Sequence, residues 1–452
     1  MSEQLPEPVS KPVSKPVSAP APKPVPMSEQ APKPEPVIVS EQVTMSESAS
    51  VSVTVPVSVS VTTLGRVLAG LLSLLAAAVI WLPSFHILFS DSPNEFLSAE
   101  GIPAKARKVA NQHLSLWTDP VSLGKEMGKM RVRNAEWDFM ARCYFVWACG
   151  NMALRDPALK PTVLPIMDQI IDQTISLEQE KGMYFFLMPY AQTSPFKMKP
   201  VRSQFLDGKI ALMMAVRRVV EEKSAYKLLL AERVKLMVDR MEQSPVLSAE
   251  SYPDECWLFC NSVALAAIRI SDFLDGSDHG EFFKRWVSTA KRKLIEPRTG
   301  LLYSSYNLTG EVLMDGPEGS SIWMAAHCLA LIDYDFAKDQ YERGRKEIGK
   351  SLAGFGYCVE WPVGCSGSSD VDSGPILPFI DLSAGSTGLA FVGAATFGDE
   401  EFLMKLHRSL NLGGFPVERT GRLKFCSSNQ VGDAVMLYSM VLGPIWKKVS
   451  GK

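Results

Sequence analysis

Histidine is scarce in this chain: five in 452 residues, with no two at a spacing that would ligate a metal from one helix. Eight cysteines are too few for a disulfide scaffold at this length. An excess of one charge is missing too. The 47 basic and 49 acidic residues leave a net charge of −2, which excludes a nucleic-acid binder that displaces counterions with a basic face. There is no phosphate-cradling glycine loop, nucleophile elbow or dinucleotide fingerprint, and alternating strand patterns with turn signals are few. What is present is 46% hydrophobic and 21% charged residues, enough to bury a large core in one to three domains.

Composition divides the chain. Residues 1–63 contain no Phe, Trp or Tyr, and 12 of the 31 prolines fall in the first 60 positions. Lys11-Pro12-Val13-Ser14 repeats directly as Lys15-Pro16-Val17-Ser18. Such a segment cannot bury enough apolar surface to offset its ordering entropy, so residues 1–66 read as a disordered tail. Val67 to Leu82 carries no charge, and the apolar character continues to Phe89. About 23 residues at ~1.5 Å each span a bilayer's hydrocarbon core, so 67–89 reads as one transmembrane helix. Arg66 precedes it and Asp91 and Glu95 follow, which places the tail in the cytoplasm and residues 90–452 on the extracytoplasmic (periplasmic) side of the membrane.

The remainder carries a succession of helical patterns, at 102–116, 135–154, 161–181, 202–222, 226–243, 256–273, 281–295, 320–332, 335–351, 381–397, 399–410 and 428–446. Asn134 and Ser320 are suitable N-caps. Twelve helices with no fixed-period repeat predict an all-α (α/α)6 toroid, paired helices closed into a barrel, over 90–452. Loops at 183–200, 296–319 and 353–380 exceed what helix connections need, and long loops in compact domains carry function.

Two constellations stand in or beside those loops. Ser251 to Ser262 packs carboxylates, amides and the thiols Cys256 and Cys260 into a helix start. The thiols serve as small core residues, or one is a nucleophile whose thiolate the helix dipole favours; a metal would need two further ligands. The second is Glu360-Trp361-Pro362 followed by Asp370-Val371-Asp372 in a Gly/Ser-rich stretch, which is either turn chemistry or a general acid/base group. Cys143, Cys149 and Cys328 read as core residues, His327 as a satisfied core histidine, and Cys358 with Cys365 as the pair most able to bridge.

Pro253-Asp254, then five residues, then Cys260-Asn261-Ser262-Val263-Ala264 resembles the central motif of the linalool dehydratase/isomerase family. Glu296-Pro297-Arg298-Thr299-Gly300 to Tyr306, Ala153 to Pro157 and the Gly208 region are similar in the same order, so the resemblance spans roughly 135–447. It implies an α/α toroid that needs no metal or organic cofactor, acts on an allylic alcohol and assembles as a homo-oligomeric ring. The family's second catalytic cysteine falls on Cys260. Ser251 stands where the first cysteine would be, and Lys209 where the active-site histidine would be. The family's aspartate, tyrosine and cysteine from an earlier segment have no counterpart near 90–134.

The expected function is therefore a membrane-anchored, cofactor-free hydro-lyase or isomerase acting on a small alcohol, with Asp254, Cys260, Glu360 and Asp372 as acid/base candidates lining one cavity. Tyr252, Trp257, Asn261, Lys209, Asp370 and Trp361 are the expected substrate-binding residues. The expected partners are a small-molecule substrate and, through one helix, the lipid bilayer, with no nucleic acid. Two alternatives stand beside it. One is a carbohydrate-active toroid with two carboxylates about a glycosidic bond and aromatic rings against the sugar. The other is a non-catalytic tethered binding domain.

Overall fold

The computed structural model describes residues 61–98, 100–367 and 374–451, and it is mostly helical. The helices, in chain order, are α1 Val61–Ser84, α2 Ala104–Trp117, α3 Pro120–Arg133, α4 Ala135–Arg155, α5 Lys160–Lys181, α6 Gln204–Val220, α7 Ser224–Met241, α8 Leu258–Asp275, α9 Gly280–Lys293, α10 Gly319–Leu329, α11 Tyr334–Glu347, α12 Ala384–Phe397, α13 Glu400–Gly413, α14 Gln430–Val441 and α15 Pro444–Ser450. Residues 1–60 of the expected tail lie outside the described residues, while 61–66, also read as tail, form the first turns of α1.

Six of these helices pack in cyclic order. α4 lies against α6, α6 against α8, α8 against α10, α10 against α12, α12 against α14, and α14 returns to α4. α6 is buried along its whole length, its polar residues Gln204, Asp207, Lys209, Arg217 and Arg218 included. The intervening helices are one-sided. α5 packs on α4 and α6, α7 on α6 and α8, α11 on α10 and α12, and α13 on α12; α13 buries only Phe402, Leu403, Leu406 and His407.

Gly208 brings α6 and α8 close together. A Cβ there would stand 3.1 Å from the Ala264 nitrogen and 3.2 Å from its Cα, so α6 and α8 meet backbone to backbone where Lys209 and Cys260 are carried. Below that level the interior is filled by aromatic and imidazole rings. His327 hydrogen-bonds Tyr438 (2.7 Å) and Thr396 (2.6 Å) and stacks on Trp446 at 4.3 Å, while Tyr144 lies against Trp147 and Tyr438. Burial lowers His327 to about 3, so it is the satisfied core histidine its apolar helix implied.

Several boundaries differ from the pattern. α3 was not anticipated, because Gly124 and Gly128 weaken its propensity, although Leu123, Met127 and Met130 keep helical spacing and are buried. The expected helix 428–446 is two helices, broken at Leu442–Gly443, where Gly443 has φ 119°. Strands are more frequent than the pattern implied: among the described residues eight short ones form four antiparallel ribbons, Cys256–Trp257 with Ser305–Tyr306, Gly349–Leu352 with Phe355–Cys358, Ile376–Leu377 with Leu382–Ser383, and Pro416–Arg419 with Arg422–Phe425. Cys256 therefore precedes α8 on a strand and does not share a helical face with Cys260. Asn134 caps α4 by accepting from the Glu136 amide at 2.8 Å. Ser320 is inside α10 and not its cap.

Thr62–Glu95 is long and apolar enough to cross a membrane, and its apolar side chains are exposed.

Candidate active site

The approach to α8 is held by two buried groups. Asn261 accepts from the Ala249 amide (2.9 Å) and donates to the Ala249 and Trp257 carbonyls (3.1 and 3.0 Å), so its amide is fully used in fixing the loop. The Glu250 carboxylate accepts from the amides of Lys197 (2.9 Å), Met198 (2.7 Å) and Asp254 (2.7 Å). Asp254 takes a left-handed turn, φ 59°, and its carboxylate meets the exposed Lys197 and the Leu308 amide. Ser251, on the same loop, is buried.

Inside this loop lies Lys209. Its ammonium is fully buried and has no hydrogen-bond partner among the described residues. It stands over the rings of Phe205 at 3.7 Å and Phe259 at 4.5 Å. Burial lowers its pKa, and the neighbouring Cys260, Cys143, Glu136 and Cys328 oppose that shift. The Cys260 thiol is raised by burial, against the pull of Lys209 and of the Ser251 hydroxyl beside it. Apart from that thiol, Ser251 Oγ has no partner among the described residues. Burial pushes Cys143 up to about 12. An amine biased towards neutrality thus lies near a thiol biased towards protonation, with two ring faces against the amine.

Tyr252 closes one side. It donates to Glu136, accepts from the Met188 amide at 3.0 Å and stacks on Tyr190 at 4.4 Å. Burial raises its pKa, so it remains a phenol. Trp257 donates to Glu255 at 3.1 Å and is partly buried.

The carboxylates singled out in the sequence have separate surroundings. Glu360 is buried and accepts from Ser320 Oγ (2.6 Å), the Ser320 amide (3.3 Å) and Ser383 Oγ, tying the starts of α10 and α12 together. Its partners differ entirely from those of Asp254. Trp361 is next to Glu360 in sequence, and its ring nitrogen is buried. Asp370 and Asp372 lie outside the described residues. Cys358 and Cys365 do not bridge: Cys358 is buried on its strand, and Cys365 accepts from Arg298 at 2.9 Å. Sequence reading missed Glu136, which comes from α4 and carries no local pattern that marks it, whereas Cys143 and Cys328 are the buried core residues expected.

The linalool dehydratase/isomerase family model matches residues 207–429, a span holding Lys209, Ser251, Tyr252 and Cys260. Over that segment the chain is similar to the linalool dehydratase/isomerase family. The match is shorter than the 135–447 suggested by the motifs, and α4, which supplies Glu136 and Cys143, precedes it. Among solved structures, the chain is similar to a GH76 alpha-mannanase of Bacteroides thetaiotaomicron at 10% identity, with 69% of this chain and 87% of that one covered and a TM-score of 0.42.

Proposed function

We propose that the described domain is an (α/α)6 toroid of the linalool dehydratase/isomerase type, held to a membrane by α1. In this reading it removes water from, or isomerises, a small apolar alcohol. The observation that carries the reading is the buried, unpartnered Lys209 amine beside the Cys260 thiol, within the family-matched segment. Environments that push two titratable groups towards their neutral forms assign an acid and a base. Cys260 gives its proton to the leaving hydroxyl, and the C–O bond breaks to release water. Lys209 takes a hydrogen from the neighbouring carbon, and that C–H pair becomes the new double bond. The ammonium then returns its proton to the thiolate, which resets both groups. The Phe205 and Phe259 faces stabilise the allylic cation that develops between these steps. Isomerisation is loss of water followed by its return at the other allylic carbon.

The test uses the full chain in lipid, a panel of allylic alcohols, and gas chromatography of the alkene released. Turnover is expected for at least one apolar alcohol. Lys209→Met and Cys260→Ala should each lose ~10²–10⁴-fold in rate. A Lys209→Met chain with unchanged turnover would overturn the assignment.

The working form has neutral Lys209 and protonated Cys260. The rate therefore rises with pH as Lys209 loses its proton and falls at higher pH as Cys260 ionises, with both limits belonging to the coupled pair.

A further inference from the structure

Where α1 meets the domain there is no slack. α1 ends at Ser84, and Phe85–Phe89 forms a single 3₁₀ turn packed against α13. Phe85 and Phe89 lie 6.2 and 6.0 Å from the Phe355 ring. Asn411 donates to the Phe89 carbonyl and to Asp91, both at 2.9 Å, Arg408 reaches Ser90 at 2.9 Å, and Lys105 pairs with Asp91. At ~1.5 Å per residue the 24 residues of α1 extend about 36 Å, a bilayer's hydrocarbon thickness with little left over. Trp81, in its last turn, is exposed at the level where tryptophans settle in membrane interfaces.

Apolar side chains are exposed on the elements that pack around that exit and on the ribbon beside them. Leu352 pairs across its ribbon with Phe355, the residue that α1's turn packs on, and is 58% exposed. Phe415 follows α13 directly and is 65% exposed. The ribbon Ile376–Leu377/Leu382–Ser383 packs on the strand Phe355–Cys358, and at its tip Phe379 is 101% exposed beside the exposed Ile380. Isolated exposed apolar residues are ordinary, but a cluster continuous with a membrane span is not.

We infer that this face is seated in the bilayer interface, with Leu352, Phe379, Ile380 and Phe415 immersed among the lipids around α1. The occupant is lipid because the span leaves the domain inside the cluster, and the clamp at Phe89–Asp91 prevents the domain from standing off. The inference rests on α1 spanning the membrane and not on the catalytic reading.

The test places an environment-sensitive fluorophore on single cysteines replacing Leu352, Phe379 or Phe415, in a Cys365→Ser/Cys426→Ser background that leaves only buried thiols. Leu228 on α7, 66% exposed, is the control position. The labelled full-length chains are reconstituted in phosphatidylcholine vesicles with and without a lipid carrying a quencher near its headgroup. Emission at 352, 379 and 415 should shift to the blue and lose at least half its intensity to the quencher, while 228 does neither. Blue-shifted emission that the lipid quencher leaves untouched would mean that protein covers the face, and would overturn the inference. Water-like emission matching 228 would overturn it as well. Each position reports separately, so one poorly folding variant leaves two readings.

Discussion

A lysine amine sealed away from water without an acceptor is an expensive arrangement, and at position 209 nothing in the packing of α6 requires it. Methionine has nearly the same length and no charge. Lys209→Met should therefore melt at a higher temperature, gaining about 1–3 kcal/mol as the unsatisfied amine is removed, while losing activity. A lower melting temperature would mean that the amine supports the fold. Asp433 is the converse case. It is buried with one carboxylate oxygen unpartnered, and burial raises its pKa to about 7. Its folded pKa lies above the unfolded 3.8, so the stability it contributes is full at low pH and is lost as pH rises through about 7. Between pH 5 and 8 the melting temperature of Asp433→Asn should fall less than that of the parent, which thermal melts at several pH values would show. At this scale the sequence was uneven. Lys209, Ser251 and Cys260 were marked by their places in the resemblance, and they lie close together. Asp254 stood in the same motif and Glu360 was chosen as a carboxylate in a loop, and residue type does not reveal the partners that occupy either.

Helices were easier to read than their ends, because apolar periodicity is a property of a whole segment while an end depends on one or two backbone bonds. Asn134 acts as the cap its side chain suggested, whereas Ser320 is diverted to a carboxylate forty residues away that no local pattern could announce. Glu360 is therefore an element-level residue: it joins the first turns of α10 and α12. Glu360→Ala leaves the Ser320 and Ser383 hydroxyls and an α10 amide without their acceptor, at about 1–3 kcal/mol for each group left unpaired. The denaturant midpoint should fall accordingly, with an unchanged slope. Gly208→Ala tests the α6–α8 contact. The added methyl meets backbone, which cannot rotate away, and should cost ~1–3 kcal/mol while shifting Lys209 from Cys260 and lowering turnover further than stability alone explains.

For the molecule as a whole, composition alone separated the aromatic-free first 63 residues from the helical remainder and marked the apolar run between them. The cyclic packing of α4, α6, α8, α10, α12 and α14 was predictable only as a consequence of helix number and one-sidedness, since no repeat announces it. The charge asymmetry about α1 predicts that the C-terminus lies outside the cytoplasm. A reporter active only there, fused after Lys452, should be active; a silent but well-expressed fusion would reverse the orientation.

The clamp joining Phe89 and Asp91 to α13 has one more consequence. On the proposed reading the substrate is an apolar alcohol, which partitions into lipid, and a domain held at the membrane surface by α1 would sample it from a two-dimensional reservoir. Velocity should then follow the mole fraction of alcohol in the bilayer and not its amount per volume of buffer. Adding empty vesicles at constant total substrate would dilute that reservoir and slow the reaction, although every concentration measured in the aqueous phase suggested that little had changed.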